Sequence, residues 1–164
     1  MPYIDTIPEI AALCDGADHV DVKQTVSTKS LREFIAAALS YMPGWMVALY
    51  KVRAVFVRLL GLKQDGYPGK NKVAPQDVIF TPGDMGTFFK VKGGQEDQYW
   101  IAGATEKHLS GYLAIAADPL PDGTKRFHLA TIVYYHHWTG RIYFNIIRPL
   151  HHVVVWAMLR HAAR

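Results

Sequence analysis

Cysteine is almost absent: Cys14 stands alone among 164 residues. No intramolecular disulfide can form, and a cysteine zinc ribbon or an iron–sulfur cluster has no ligand set. A reducing, cytoplasmic setting is the expectation. Long apolar runs are also missing. The longest, Trp45 to Tyr50 and Val153 to Leu159, fall far short of the roughly 20 residues that cross a bilayer, so no membrane span is expected. The stretch to Asp21 holds no Lys or Arg but carries Asp5, Glu9, Asp15 and Asp18, the reverse of the basic start of a signal peptide. Repeats and heptads are lacking, which excludes a solenoid and a coiled coil.

Charge is sparse as well. Only 20% of the residues are charged against 50% hydrophobic, a balance that excludes a disordered chain and is ample to fill the core of one domain spanning 1–164. The 18 Lys and Arg against 14 Asp and Glu leave a net +4. Those bases are dispersed: Lys51, Arg53 and Arg58 on a predicted helix, Lys70 and Lys72 in a Gly/Pro-rich loop, Lys90 and Lys92 on a predicted strand. With no basic block, nucleic acid is not an expected partner. Gly66 to Lys70 is not a phosphate loop, because two residues separate its glycines where four are needed and Asn71 replaces the Ser or Thr. No Gly-x-Ser-x-Gly elbow occurs, and Cys14 sits in no motif, so acyl transfer has no nucleophile. No cofactor is implied.

Alternation of Val20, Val22 and Val26 with Asp21, Lys23 and Thr25 predicts a strand whose valines face inward. Ser30 and Glu33 have the spacing of a capping box, and Leu31, Phe34, Ile35, Ala38 and Leu39 follow at helical intervals to Pro43. A second helix runs from Trp45 to a Gly61 cap. Leu62 to Pro75 reads as an exposed connection. Strands are predicted near Val78–Phe80, Thr87–Lys92, Gln98–Thr105, His108–Ala117 and Arg126–His136, with turns at Pro82–Asp84, Lys92–Gln95 and Pro121–Gly123. Gly140 to Arg164 returns to helical spacing, with a kink at Pro149. The fold class is therefore α+β: an antiparallel sheet curled around a long C-terminal helix, with two shorter helices after the first strand and space where helix and sheet diverge.

That order resembles the helix-grip fold of the START and birch-pollen-allergen superfamily, or SRPBCC domains. Two local patterns narrow the resemblance: Gly103-Ala-Thr-Glu-Lys-His-Leu109, and Gly140-Arg-Ile-Tyr143 followed by Pro149-Leu-His151. These are similar to a bacterial domain of unknown function, numbered 2867, over about Asp18 to Ala163. The chain departs from that family's pattern at Glu106, where Asp is more usual, and at Ser110-Gly111, where an acid and an aromatic are. The resemblance implies the helix-grip fold with an apolar cavity between sheet and helix, and no activity. Relatives fused to short-chain reductases imply small-molecule metabolism, although no dinucleotide fingerprint is present.

Seven of the eight histidines lie beyond position 107. His136 and His137 must point to opposite faces of a strand, and His151 and His152 lie about 100° apart on a helix, so neither pair chelates a metal; no metal site is assigned. Glu106 and His108 share one side of an extended segment, where the carboxylate would orient the imidazole and raise its proton affinity, giving a general base, a ligand anchor or a polar turn. Arg141 opens the last helix, where a cation calls for an acid such as Glu106 or for an anionic ligand. His151 either bonds a carbonyl freed by Pro149 or lines the cavity. Trp100, Tyr112 and Tyr143 combine an apolar body with a polar tip, which suits core or ligand pocket alike.

Three functions remain. The first is a binding module for a small hydrophobic or aromatic molecule, held by His108, Arg141, His151, Trp100, Tyr112 and Tyr143. The second is an enzyme of cyclase, dehydratase or isomerase type with His108 and Glu106 transferring protons. The third is a non-catalytic protein that partners a reductase or pairs with itself as a homodimer.

Overall fold

The computed structural model describes residues 2–62, 72–86 and 89–164. Its centre is a six-stranded antiparallel sheet in the order β1-β6-β5-β4-β3-β2. The strands are β1 (His19–Ser27), β2 (Met85–Gly86), β3 (Phe89–Gln95), β4 (Tyr99–Thr105), β5 (Leu109–Pro119) and β6 (Lys125–Tyr135). β2 to β6 form a meander, and β1 pairs with β6 from His19 opposite Val133 to Ser27 opposite Lys125.

One face of this sheet carries α2 (Leu31–Ser40), α3 (Gly44–Leu59) and α4 (Trp138–Ala163). Leu31, Phe34 and Ile35 of α2 meet Trp100, Leu113, Ile115, Phe127 and Leu129 of the sheet and Val155, Leu159 and Ala162 of α4. Phe34 and Phe127 stack with centroids 4.0 Å apart. The capping box at the start of α2 is complete: Glu33 N donates to Ser30 Oγ at 3.2 Å, and Ser30 N donates to Glu33 Oε2 at 2.7 Å. α3 ends in a Schellman motif around Gly61, whose φ is +67°, with Gly61 N donating to Arg58 O and Leu62 N to Val57 O, both at 3.0 Å.

The opposite face is covered by a layer that the sequence reading did not foresee. A 3-10 turn at Tyr3–Thr6 and α1 (Pro8–Cys14) bury Ile4, Ile7 and Ile10 against Tyr99, Ile101, Ala114, Ala116, Ala130 and Ile132. β4, β5 and β6 are thus apolar on both faces, which hides the alternation that a one-sided sheet would show.

Several expectations need correction. β1 forms where alternation placed it, but its valines turn away from α4: Val20 is 39% and Val26 48% exposed, while the polar row His19, Asp21 and Lys23 lies beneath the helix. Val78–Phe80 is not a strand. It follows a 3-10 turn at Pro75–Asp77, and its carbonyls serve side chains, Ile79 O accepting from Trp100 Nε1 at 2.9 Å and Val78 O from Arg32 at 2.8 Å. Lys92–Gln95 is no turn either. β3 continues through a bulge between Val91 and Gly93, and the chain reverses after Gln95, with Asp97 at φ +60°. α4, expected from Gly140, starts two residues earlier at Trp138 and runs on as one helix with Pro149 inside it, as expected. Most of the connection predicted over 62–75, and the start of the strand predicted at Thr87, lie outside the described residues.

Replacing Ser30 with Ala removes the acceptor that satisfies Glu33 N. We expect a loss of about 1 kcal/mol of stability, read as a lower urea midpoint with an unchanged slope.

Candidate functional site

The sheet end at the β4–β5 turn is where the Glu106 and His108 pair forms. Glu106 N donates to Leu109 O at 2.9 Å, which closes the turn and puts both side chains on one side. His108 is buried and its Nε2 lies 3.1 Å from Glu106 Oε2, within ion-pair distance but off the line of a hydrogen bond, since that nitrogen has no hydrogen-bond partner. Tyr143 of α4 meets the imidazole edge-on at 5.5 Å. Arg53 of α3 donates through Nε to the Tyr143 hydroxyl, with its guanidinium 5.5 Å from the ring centre. Arg53 is a member of this cluster that sequence reasoning missed, because α3 and α4 are far apart in the chain.

Burial pushes the His108 pKa below its ordinary value; Glu106 opposes this, and Arg53 and His136 add to it. The carboxylate therefore does not win, contrary to the expectation of a raised proton affinity. Burial also raises the Tyr143 hydroxyl, with Arg53 opposing. Near neutrality the cluster holds a neutral imidazole beside a neutral phenol, an arrangement able to accept a proton at His108 or to hold a polar ligand atom.

The helix pattern around Gly140 has a steric cause. The His108 carbonyl accepts from His136 N at 2.9 Å and His137 N at 3.3 Å, and a Cβ built on Gly140 would lie 2.1 Å from that oxygen. Only glycine lets the first turn of α4 approach so closely.

A second polar cluster lies under α4, about 12 Å further along its axis at 1.5 Å per residue. β1 supplies His19, Asp21 and Lys23, β6 supplies Thr131, and α4 supplies His151 and His152. Lys23 Nζ pairs with Asp21 and lies 3.0 Å from His152 Nδ1, which is 3.3 Å from Asp21 Oδ2. His151 Nε2 is 3.4 Å from Thr131 Oγ1, so His151 reaches across to the sheet and does not staple its own helix. His19 packs on Phe144 at 5.0 Å, leaving its buried Nε2 without a partner. Burial first, then the charges of His152 and Lys23, lower His151 to about 4. For Asp21, burial acts upward, but the hydrogen bond and charge of Lys23 outweigh it and the pKa falls. The signal for this cluster was present in the polar row of β1, read there as solvent-facing.

The other expected residues separate. Arg141 is exposed, and no carboxylate among the described residues pairs with it; Glu106 is engaged with His108 instead. Trp100 is fully buried on the helix side of the sheet. Tyr112 lies on the other side, edge-on to Tyr134 at 6.1 Å, so Trp100 and Tyr112 do not face one space. His128 is also on that far side, stacked on Tyr3 at 5.3 Å. His136 Nε2 lies 2.7 Å from Ser110 Oγ, and His161 stacks on Tyr41. No group of three His, Cys, Asp or Glu among the described residues converges as a metal site.

A cavity of about 150 Å³ opens on the helix side, walled by Leu39, Val73, Val78, Ile79, Met85 and Trp100, with Lys72 and Asp77 as its charged members. Neither polar cluster lines it.

A six-stranded antiparallel sheet gripping a long C-terminal helix defines a helix-grip protein of the α+β class. The chain belongs to the family described as protein of unknown function (DUF2867), whose profile matches residues 13–158. No curated protein sequence matches it. Among solved structures, one described as Ara h 8.0201 is similar at 9% identity, covering 88% of this chain and 97% of that one with a TM-score of 0.41. A hypothetical protein, jhp0584, from Helicobacter pylori is similar at 11% identity, covering 94% of each chain with a TM-score of 0.46.

Two outcomes follow from this geometry. Gly140→Ala forces α4 away from the His108 carbonyl, costing about 1–3 kcal/mol in urea unfolding. For His151, the folded pKa of about 4 lies below the unfolded 6.5. Above pH 6.5 both states are neutral; between 6.5 and 4 only the unfolded chain takes the proton, so stability falls across that window by on the order of 3 kcal/mol. His151→Leu should flatten this part of a stability-against-pH curve relative to the parent protein.

Proposed function

We propose that this protein is a bacterial, cytoplasmic binder of a small apolar or aromatic molecule, acting as one domain over 1–164. The observation that carries this reading is the cavity of about 150 Å³ beside Trp100. A space of that size accommodates a benzene-sized group, and its walls combine aliphatic side chains with the charged Lys72 and Asp77. The lone Cys14 fits a reducing compartment.

A second reading is favoured by one observation: the buried His108 Nε2 faces Glu106 without a hydrogen bond. In that reading the imidazole takes a proton from a bound substrate, and Tyr143, held by Arg53, steadies the substrate's oxygen. Binding ranks first because no histidine lines the cavity.

Indole and toluene serve as probes, titrated calorimetrically into the parent protein and into Met85→Trp. Met85 is 58% exposed, so a larger side chain there blocks the cavity without disturbing the core. Saturable heat for either probe, weakened about tenfold or more in the variant, supports the proposal. No saturable heat with either probe, or equal binding by both proteins, overturns it.

A further inference from the structure

The outward faces of α3 and α4 are apolar where helices packed on a sheet normally present polar groups. Along α4, Trp138, Ile142, Ile146, Leu150, Val153 and Trp156 are 45–68% exposed. At about 100° per residue they fall within an arc of roughly 120°, opposite Phe144, Val155 and Ala162, which are buried. On α3, Val52, Val55 and Leu59 are 62%, 59% and 79% exposed, opposite the buried Met46 and Val57. Exposed apolar stripes of this kind mark a contact face.

Its charge names the partner. Of the 14 Asp and Glu residues none lies on α3 or α4, whereas Lys51 and Arg58 of α3 and Arg160 of α4 border the exposed apolar residues; Arg141 and Arg148 lie toward the sheet side of α4. None of Lys51, Arg58 and Arg160 pairs with a carboxylate among the described residues, and Arg160 lies over the Trp156 ring at 4.6 Å. A second copy of the chain is a poor match, since a two-fold contact would set cation against cation with no acid in the patch to answer them. Apolar residues and tryptophans flanked only by Arg and Lys match the boundary between lipid headgroups and acyl chains, where rings sit at the interface and cations reach anionic phosphates.

We propose that α3 and α4 dock the protein on an anionic phospholipid surface, with α4 lying along the interface and not crossing it. α4 is long and apolar enough to span a bilayer by length and composition, but its inner side holds Phe144, His151, Val155 and Leu159 against the sheet. The inference stands independently of the ligand cavity.

The test is co-sedimentation of the full chain with vesicles of phosphatidylcholine and phosphatidylglycerol, against vesicles of phosphatidylcholine alone. Three proteins are compared: the parent, Ile146→Asp/Val153→Asp and Lys51→Glu/Arg160→Glu, each shown by thermal unfolding to be folded. These residues are exposed, so the variants leave both cores untouched. Binding to the anionic vesicles with a blue shift of tryptophan emission, loss at about 1 M salt where the Debye length is about 3 Å, and about tenfold or greater weakening in both variants support the proposal. No binding by the parent protein overturns it, as does binding that both variants retain. A parent dimer that Ile146→Asp/Val153→Asp disrupts, without any lipid binding, assigns the face to a second copy and also overturns it. Indole and toluene binding is unaffected in these variants, so failure here is distinct from failure of the cavity reading.

Discussion

The His108 carbonyl fixes where α4 begins, and the helix side of the protein depends on that point. It accepts two backbone N–H groups from the end of β6 and stands so close to Gly140 that any side chain there would collide with it. With its first turn held, α4 has one rotational setting over the sheet. That setting brings Tyr143 to His108, His151 to Thr131, and Val155 and Leu159 into the core around Phe34 and Trp100. A helix started one residue later would turn by about 100° and carry its apolar stripe onto the polar row of β1.

The polar groups trapped beneath α4 survive through pairing and neutrality. Asp21 and Lys23 compensate one another and share His152, which keeps two charges in place under partial burial. His19, His108 and His151 all have lowered pKa values, with burial as the first cause in each. Three neutral imidazoles on one side of a sheet retain hydrogen-bonding capacity without the cost of buried charge. They also leave a buried ring nitrogen without a hydrogen-bond partner at His19 and at His108.

Much of the fold was legible in the sequence. Period-2 alternation located β1, the Ser30 and Glu33 spacing located α2, Gly61 marked the end of α3, and the return to helical spacing marked α4. These features are local: each depends on residues within about one turn or one strand of each other. The orientation of β1 was not legible. A strand of valines alternating with charged residues reads as apolar side inward, yet Asp21 and Lys23 pair with one another beneath α4 and both meet His152, about 130 positions away, a long-range match that alternation cannot register. The covering of the far sheet face by Ile4, Ile7 and Ile10 was hidden for the same reason.

By itself, the sequence determined β1, α2, α3, β4 to β6 and α4, the caps at Ser30 and Gly61, the α+β class and the placing of Glu106 beside His108, because backbone hydrogen bonding and side-chain periodicity act over a few residues. Tertiary structure alone decided that Arg53 completes the His108 and Tyr143 cluster, that Tyr112 and Trp100 lie on opposite sides of the sheet, and that the apolar stripe of α4 points outward. Those outcomes follow from strand register and helix rotation, which are fixed by contacts between residues distant in the chain and by the one steric stop at Gly140.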